Sequence, residues 1–396
     1  MSFEQKAITG IQYSIVTTLI CCCIVFFYAL LFRKGKRIKI GDVLITILLI
    51  CISSLRYDVG TDYDRYIVSA ENSARIFSGL KNVFSAEVMK QYSYEVGYEA
   101  LSVITSRISS SEYAIFWVTS VLMYVPLMFY CRKHTSNAFI AFSTYILFGF
   151  WGMSLNIIKQ SIAMIAVLFY YEAIKQKKYI ACLILAVFAQ LYHTTSIVAV
   201  VFIFLCHFNF SKTLLKPTRR NLYMVTSVGI LLRISTGFLF RILSHISIFA
   251  KYIKYLDGSL GDSLSRSFIM IDAFLEAIIV FGFLYVAIGK IRTLKRKNSN
   301  IEKIISFIMV GLLFNIVGIS KTLWLSKRFA EFFYIFLIVL IPDLLGTRKA
   351  RLNNHGVGIT RQSLVYWAVM IIWHIFYAVL SLDNHGFQLQ TYLFRQ

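Results

Sequence analysis

Apolar residues in this chain gather in long blocks separated by polar stretches, and the blocks recur from one end of the sequence to the other. A helix crossing the hydrocarbon of a bilayer needs about 20 apolar residues. The blocks at 11–32, 40–55, 112–131, 138–155, 157–174, 179–192, 194–210, 221–240, 267–289, 304–319, 329–346 and 363–380 reach or approach that length. The pattern predicts an all-α integral membrane protein with about 12 transmembrane helices, arranged as a single polytopic membrane domain over 1–396. Two longer polar segments interrupt it, at about 56–111 and about 241–266.

The polar stretches carry the orientation. Arg33, Lys34, Lys36, Arg37 and Lys39 follow the first block, Arg132 and Lys133 the third, and Lys175, Lys177 and Lys178 the fifth. Lys212, Lys216, Arg219 and Arg220 come after the seventh, a dense cluster from Lys290 to Lys303 after the ninth, and Arg348, Lys349 and Arg351 last. Basic loops stay on the cytoplasmic side, and one register places every cluster there with both termini outside.

That register constrains residues 179–210, which basic loops flank on both sides. The chain must cross twice or not at all, yet each half has only about 14 residues, roughly 21 Å of helix against about 30 Å of hydrocarbon. The turn Tyr192-His193-Thr194-Thr195 is therefore expected below the outer surface, where polar backbone is tolerated only in a cavity or within protein. His193 is expected in an outward-facing cavity. The competing arrangement, one long helix, puts the 211–220 cluster outside, against its charge. Of the nine acidic residues in the two outer segments, 56–111 holds seven. Segment 241–266 begins with Ile242, Ile246, Phe249, Ile253 and Leu256 at helical spacing, which suits a helix lying in the interface or a packed surface helix.

Composition adds exclusions. Of 396 residues, 58% are hydrophobic and 15% charged, against about a quarter charged in ordinary soluble domains. That apolar surplus exceeds what a water-soluble core can hide. The net charge of +22 raises nucleic acid as a partner, but the basic residues sit in short clusters between apolar blocks, where they report orientation and anionic head groups. No nucleic-acid partner is expected. Seven cysteines, including the run Cys21, Cys22 and Cys23, show neither zinc spacing nor a disulfide framework and read as small packing residues. The first block lacks a basic start and a small-residue cleavage site and is expected to remain a spanning helix.

Ionisable residues near the membrane are costly, so those on the outer half are the candidates for chemistry. Arg56-Tyr57-Asp58-Val59-Gly60-Thr61-Asp62-Tyr63-Asp64-Arg65-Tyr66 stands where the second block ends. Arg56 offers a planar fork suited to phosphate. Asp62 can cap a tight turn, and its pair with Asp64 is too short a pattern to argue for a metal. In Glu95-Val96-Gly97-Tyr98-Glu99, Glu95 is a candidate general base if burial raises its pKa; a solvated loop acid is the alternative. Asn156, Lys159 and Gln160 are expected on one helix face at the outer end of the fifth block, as a polar cavity wall. Lys321, Lys327 and Arg328 lie on the outer side against the orientation rule. Either a diphosphate or pairing with Glu331 accounts for them. No P-loop, dinucleotide fingerprint, metallopeptidase helix or nucleophile elbow is present.

At these residues the chain resembles the Wzy-type polysaccharide polymerases, in particular the EpsG-like family. The likeness lies in Arg56 through Tyr66, Glu95-x-Gly97-Tyr98, Asn156-x-x-Lys159-Gln160, the His193 turn, Lys327-Arg328, and Asn384-His385-Gly386 through Tyr392. Family members often carry arginine where this chain has Lys159. The resemblance implies a lipid-donor (GT-C-like) glycosyltransferase fold with an outward-facing cavity in the bacterial inner membrane. It implies an enzyme that moves a growing O-antigen, capsule or exopolysaccharide chain from undecaprenyl diphosphate onto the non-reducing end of another lipid-linked repeat unit. His193, Asp62 and Glu95 are then the catalytic candidates, and Arg56, Lys159, Lys327 and Arg328 the diphosphate-binding ones. Tyr63, Asn156 and Gln160 are the candidates for holding sugar. No metal or cofactor is called for. Expected partners are undecaprenyl-diphosphate-linked oligosaccharides and membrane lipids, with a chain-length regulator and a flippase as candidates. Another membrane transferase, such as an O-antigen ligase or O-acyltransferase, and a lipid-linked oligosaccharide flippase are the alternatives. The flippase predicts matched repeats with broken helices, which the sequence does not display.

Overall fold

The computed structural model describes residues 19–28, 40–56, 62–92, 94–111, 113–208, 216–235, 263–319, 326–345 and 361–381. The expected interfacial helix at 241–266, the residues Tyr57 to Thr61, Lys321 and the Asn384–Tyr392 motif lie largely or wholly outside them. Every described element longer than a turn is a helix. The chain divides into two compact units, residues 1–200 with 365–396, and residues 201–364.

In the first unit, α1 (Leu19–Tyr28) and α2 (Ile40–Ser54) lead into short helices of the polar segment: α3 (Tyr63–Ile76), α4 (Leu80–Val83), α5 (Ala86–Gln91) and α6 (Gly97–Ile108). Then come α7 (Ala114–His134), α8 (Ala138–Leu147), α9 (Phe150–Asn156), α10 (Ile158–Lys175), α11 (Tyr179–Tyr192) and α12 (Ser196–His207), the last running into the second unit. The 21 residues of α7 extend about 32 Å at helical rise, enough to cross a bilayer. α2 lies antiparallel to it. At one end Asp42 of α2 forms an ion pair with Arg132 of α7, and at the other Ser54 donates to the Phe116 carbonyl. Between them the Tyr124 hydroxyl joins Ser53 at 2.9 Å and Ser154 of α9 at 2.8 Å. Such bonds satisfy polar groups that would be costly in an apolar interior.

The block predicted at 138–155 is two helices, with a bend of 54° between α8 and α9. Gly149 makes the break at φ 106°, a left-handed conformation open to glycine without a Cβ clash. A second break follows at Ile157, so Asn156 ends α9 while Lys159 and Gln160 open α10. The three therefore do not share one helix face, as the sequence spacing suggested. Hydropathy averages over the Gly149 break and cannot register it, whereas the second break falls at the boundary between the blocks 138–155 and 157–174.

The second unit holds α13 (Arg219–Ile234), α14 (Ser263–Gly289), α15 (Ile291–Lys297), α16 (Ile301–Gly318), α17 (Ser326–Tyr334) and α18 (Leu337–Leu345). From Ala330 to Ile341 no residue is more than 2% exposed, so α17 and the start of α18 form its centre. α17 packs on α16 where Gly311 offers no side chain; a Cβ there would come within 2.7 Å of the Tyr334 ring. The last helix, α19 (Arg361–Ser381), returns to the first unit, where Tyr366 bonds Thr144 at 2.7 Å and Trp373 donates to the Phe148 carbonyl.

Among the described residues, three stretches are long and apolar enough to cross a membrane alone: α7, Ile271–Gly289 of α14, and α16. α8 and α9 form a further span if the bent pair is taken together, and α1, α2, α11, α12 and part of α19 are shorter apolar helices. Large apolar side chains stand exposed along them, among them Ile180, Leu183 and Ile184. Such a surface needs an apolar surrounding. The molecule is a membrane protein, all-helical among its described residues.

Candidate functional site

One end of the first unit brings together motifs that lie far apart in sequence. Arg56, just past α2, is 4% exposed and donates a hydrogen bond to the Leu155 carbonyl at the end of α9. Its guanidinium carbon lies 4.4 Å from the Phe116 ring centroid and 5.9 Å from that of Tyr63. Among the described residues it has no carboxylate partner, and its Nε has no hydrogen-bond acceptor. A buried cation without a counter-charge is costly, which marks this position as one that favours an anion.

Asn156 ties the next motif in, its side-chain oxygen accepting the Asp62 amide at 3.0 Å. The Asp62 carboxylate itself turns to the exposed Arg65, 3.1 Å away. Tyr63 is 2% exposed, stacked on Phe116 and donating its hydroxyl to the Arg56 carbonyl. Burial places its ring in the packing beneath Arg56 and not on an open surface for sugar. Gln160 is likewise buried, in the first turn of α10.

α6 contributes the acids. Glu99, 1% exposed, receives the Lys159 ammonium at 2.9 Å, and that ammonium also lies 5.0 Å from the Tyr98 ring centroid. The charge expected on Lys159 for phosphate is thus already matched. Glu95, in the loop before α6, accepts from the Thr194 amide at 2.8 Å and its hydroxyl at 2.6 Å. The Nδ1 of His193 stands 3.4 Å from the same carboxylate oxygen. Burial by itself raises the Glu95 pKa, but the bonds and charge from His193 together with the Thr194 bonds outweigh it and push it down to about 2. The rise in pKa that would make Glu95 a general base is therefore absent, because its partners reverse the sign of the burial effect.

The turn bearing His193 separates α11 from α12, so 179–210 folds as two helices and not as one long one. Gly97 lets α6 approach it. A Cβ there would come within 3.0 Å of the Leu191 carbonyl and the Tyr192 ring. Next to Glu95, Tyr94 is 54% exposed with φ 66°, a conformation that L residues other than glycine adopt at a cost. Sequence reasoning passed over Tyr94, Thr194 and the partner role of Glu99.

In the second unit Lys327 forms an ion pair with Asp272 and stands 3.5 Å from Glu276, both on α14. Asn315 of α16 donates to the Ala273 carbonyl at 3.1 Å, and Glu331, one turn past Lys327, is 2% exposed. Arg328 is half-buried beside them. Asp272 and Glu276 were also missed, although two acids one turn apart inside an apolar block are a legible signal. No group of three or more His, Cys, Asp or Glu side chains is placed to hold a metal ion among the described residues.

A helical membrane protein whose buried arginine, acids and histidine converge at one end of its first unit is the class these features define. The chain belongs to the EpsG family, whose model matches residues 39–394. No curated relative and no solved structure matches it significantly.

Proposed function

We propose that the protein is a polysaccharide polymerase of the bacterial inner membrane, working at its outer face. It transfers a growing glycan from undecaprenyl diphosphate to the non-reducing end of another lipid-linked repeat unit. In this reading the shorter helices also cross the bilayer, towards about 12 spans in a lipid-donor (GT-C-like) arrangement, and the whole chain works as one membrane domain. Membership of the EpsG family supports the reaction class. The observation that carries the assignment is Arg56, a buried cation with no carboxylate partner among the described residues, in the same unit as the Glu95–His193 pair.

A lipid diphosphate is the leaving group, and a fixed guanidinium offsets the charge that develops on it. The acceptor hydroxyl loses its proton to His193 as its oxygen attacks the anomeric carbon, and the bond from that carbon to the diphosphate oxygen breaks with its electron pair. Glu95 is too weak a base for this task at a pKa of about 2. Its carboxylate instead holds the histidine ring in place and stabilises the imidazolium. Lys159, balanced by Glu99, ties the start of α10 to α6. The exposed ring of Tyr94 is better placed than Tyr63 to meet a sugar face.

The test uses purified protein in nanodiscs with a lipid-diphosphate-linked repeat unit of its own strain, without nucleotide sugar. A product ladder that survives chelator is expected, and His193→Ala should slow it by about 10²- to 10⁴-fold while leaving thermal unfolding in place. Arg56→Gln should lose the ladder with a folded protein. No ladder from the unaltered protein with intact lipid substrate would overturn the polymerase reading in favour of a ligase or a transporter.

A further inference from the structure

A cavity of about 660 Å³ opens at the other end of the first unit, where its basic residues collect. It lies between the last turns of α7 and α10 and the flank of α11, with Arg132, His134, Glu172 and Lys178 among its lining residues. Its polar interior is internally balanced. Glu172 receives His134 Nδ1 at 2.9 Å, the Lys175 ammonium at 2.8 Å and the Tyr130 hydroxyl at 3.4 Å, and Arg132 is matched by Asp42.

Two further cations line it, Lys133 and Lys178. Both are exposed, and neither has a carboxylate partner among the described residues. Lys178 is also fixed at its backbone. Its amide bonds the Ala173 carbonyl and the Lys177 amide the Ile174 carbonyl, with Lys177 at φ 56°. This is the pattern that seals a helix C-terminus, so the lysine side chain starts from a fixed backbone position at the rim of the cavity.

Apart from Gln176, the rest of the lining is apolar: Phe129, itself 64% exposed, with Phe169, Ala173 and Leu185. Leu183 and Ile184 stand exposed on the same helix as Leu185. An inorganic anion would use the two lysines and leave the apolar wall unexplained. A phosphate carrying hydrocarbon chains uses both.

We propose that this cavity binds an anionic phospholipid, with its phosphate between Lys133 and Lys178 and its acyl chains along Phe129 and Leu185. The site is separate from the constellation around Glu95 and His193 and does not depend on the reaction assigned there. Bound lipid bridges the ends of α7 and α10 to α11, the helix whose far end carries His193.

The test is native mass spectrometry of the full-length protein titrated with phosphatidylglycerol or phosphatidylcholine of the same acyl composition. The unaltered protein is expected to retain phosphatidylglycerol preferentially. Lys133→Gln with Lys178→Gln should weaken that preference by about fivefold per lysine, the effect of one basic residue near an anionic head group. Lys81→Gln with Lys90→Gln, the same change of charge on exposed lysines of the 80–91 segment, should leave it intact. Equal retention of both lipids, an unchanged preference in the Lys133/Lys178 variant, or an equal loss in the Lys81/Lys90 variant would overturn the proposal. So would displacement of phosphatidylglycerol by millimolar inorganic phosphate, which would assign the lysines to a soluble anion.

Discussion

Glu95 shows how one side chain can be misjudged from sequence. Beside a membrane cavity, desolvation alone makes a carboxyl a better base. Here Thr194 supplies two donors and His193 a third, and the carboxylate is held ionised down to about pH 2. The consequence for stability has a definite sign. The folded pKa lies below the ordinary value of 4.5, so the stabilisation is complete above about pH 4.5 and is lost as the pH falls towards 2. With 23% of the side chain exposed, the full contribution is on the order of 2 kcal/mol. Thermal unfolding of the unaltered protein and of Glu95→Gln, compared from pH 7 to pH 2.5, should show a constant gap above pH 4.5 that narrows below it. A gap that does not change with pH would mean the carboxylate is not held ionised. The same scale explains Lys159: the sequence expected it on a cavity wall, whereas its match to Glu99, 60 residues earlier, is a tertiary fact.

At the scale of elements the sequence was informative about where helices lie. The blocks 40–55, 157–174 and 179–192 correspond closely to α2, α10 and α11, because an uninterrupted apolar run has few alternatives to a helix in lipid. It was less informative about breaks. Gly149 interrupts the apolar run 138–155 without lowering its hydropathy, and the two-residue gap between α17 and α18 lies among side chains as buried as its neighbours. The division of 179–210 into two helices at His193 was legible for a different reason, since the basic charge on both flanks called for an even number of crossings. What sequence could not supply was the partner that the turn meets. That partner is α6, and its approach depends on Gly97. Gly97→Ala adds a methyl group 3.0 Å from the Leu191 carbonyl and the Tyr192 ring, which must move apart at a cost of about 1–3 kcal/mol. The displaced loop carries Glu95 away from Thr194, so polymer yield should fall more steeply than the melting temperature. Gly97→Ala with unchanged activity would show that the two helices can separate without disturbing the dyad.

At the scale of the molecule, the arrangement of charge in the first unit has a consequence for its orientation. One end carries Arg56, Glu95, Glu99 and Lys159, drawn from the polar segment and the first turns of the following helices. The other end carries Arg132, Lys133, Lys175, Lys177 and Lys178, with the buried acids Asp42 and Glu172 beneath them. The length of α7, about 32 Å, separates the two, close to the thickness of the hydrocarbon. By the rule that basic loops stay on the cytoplasmic side, the surplus of lysine and arginine at the second end predicts an orientation with that end in the cytoplasm. Two exposed side chains then report opposite sides: Tyr94 at 54% exposure in the loop before α6, and Lys178 at the sealed end of α10. In a background with the seven native cysteines replaced, Tyr94→Cys should react with an impermeant maleimide in intact cells. Lys178→Cys should react only after the membrane is opened. Were both to label in intact cells, the first unit would not span the membrane as its helices indicate. Were the pattern reversed, the dyad would face the cytoplasm, and a transfer between lipid-linked glycans on the outer surface would have no site in this unit to perform it.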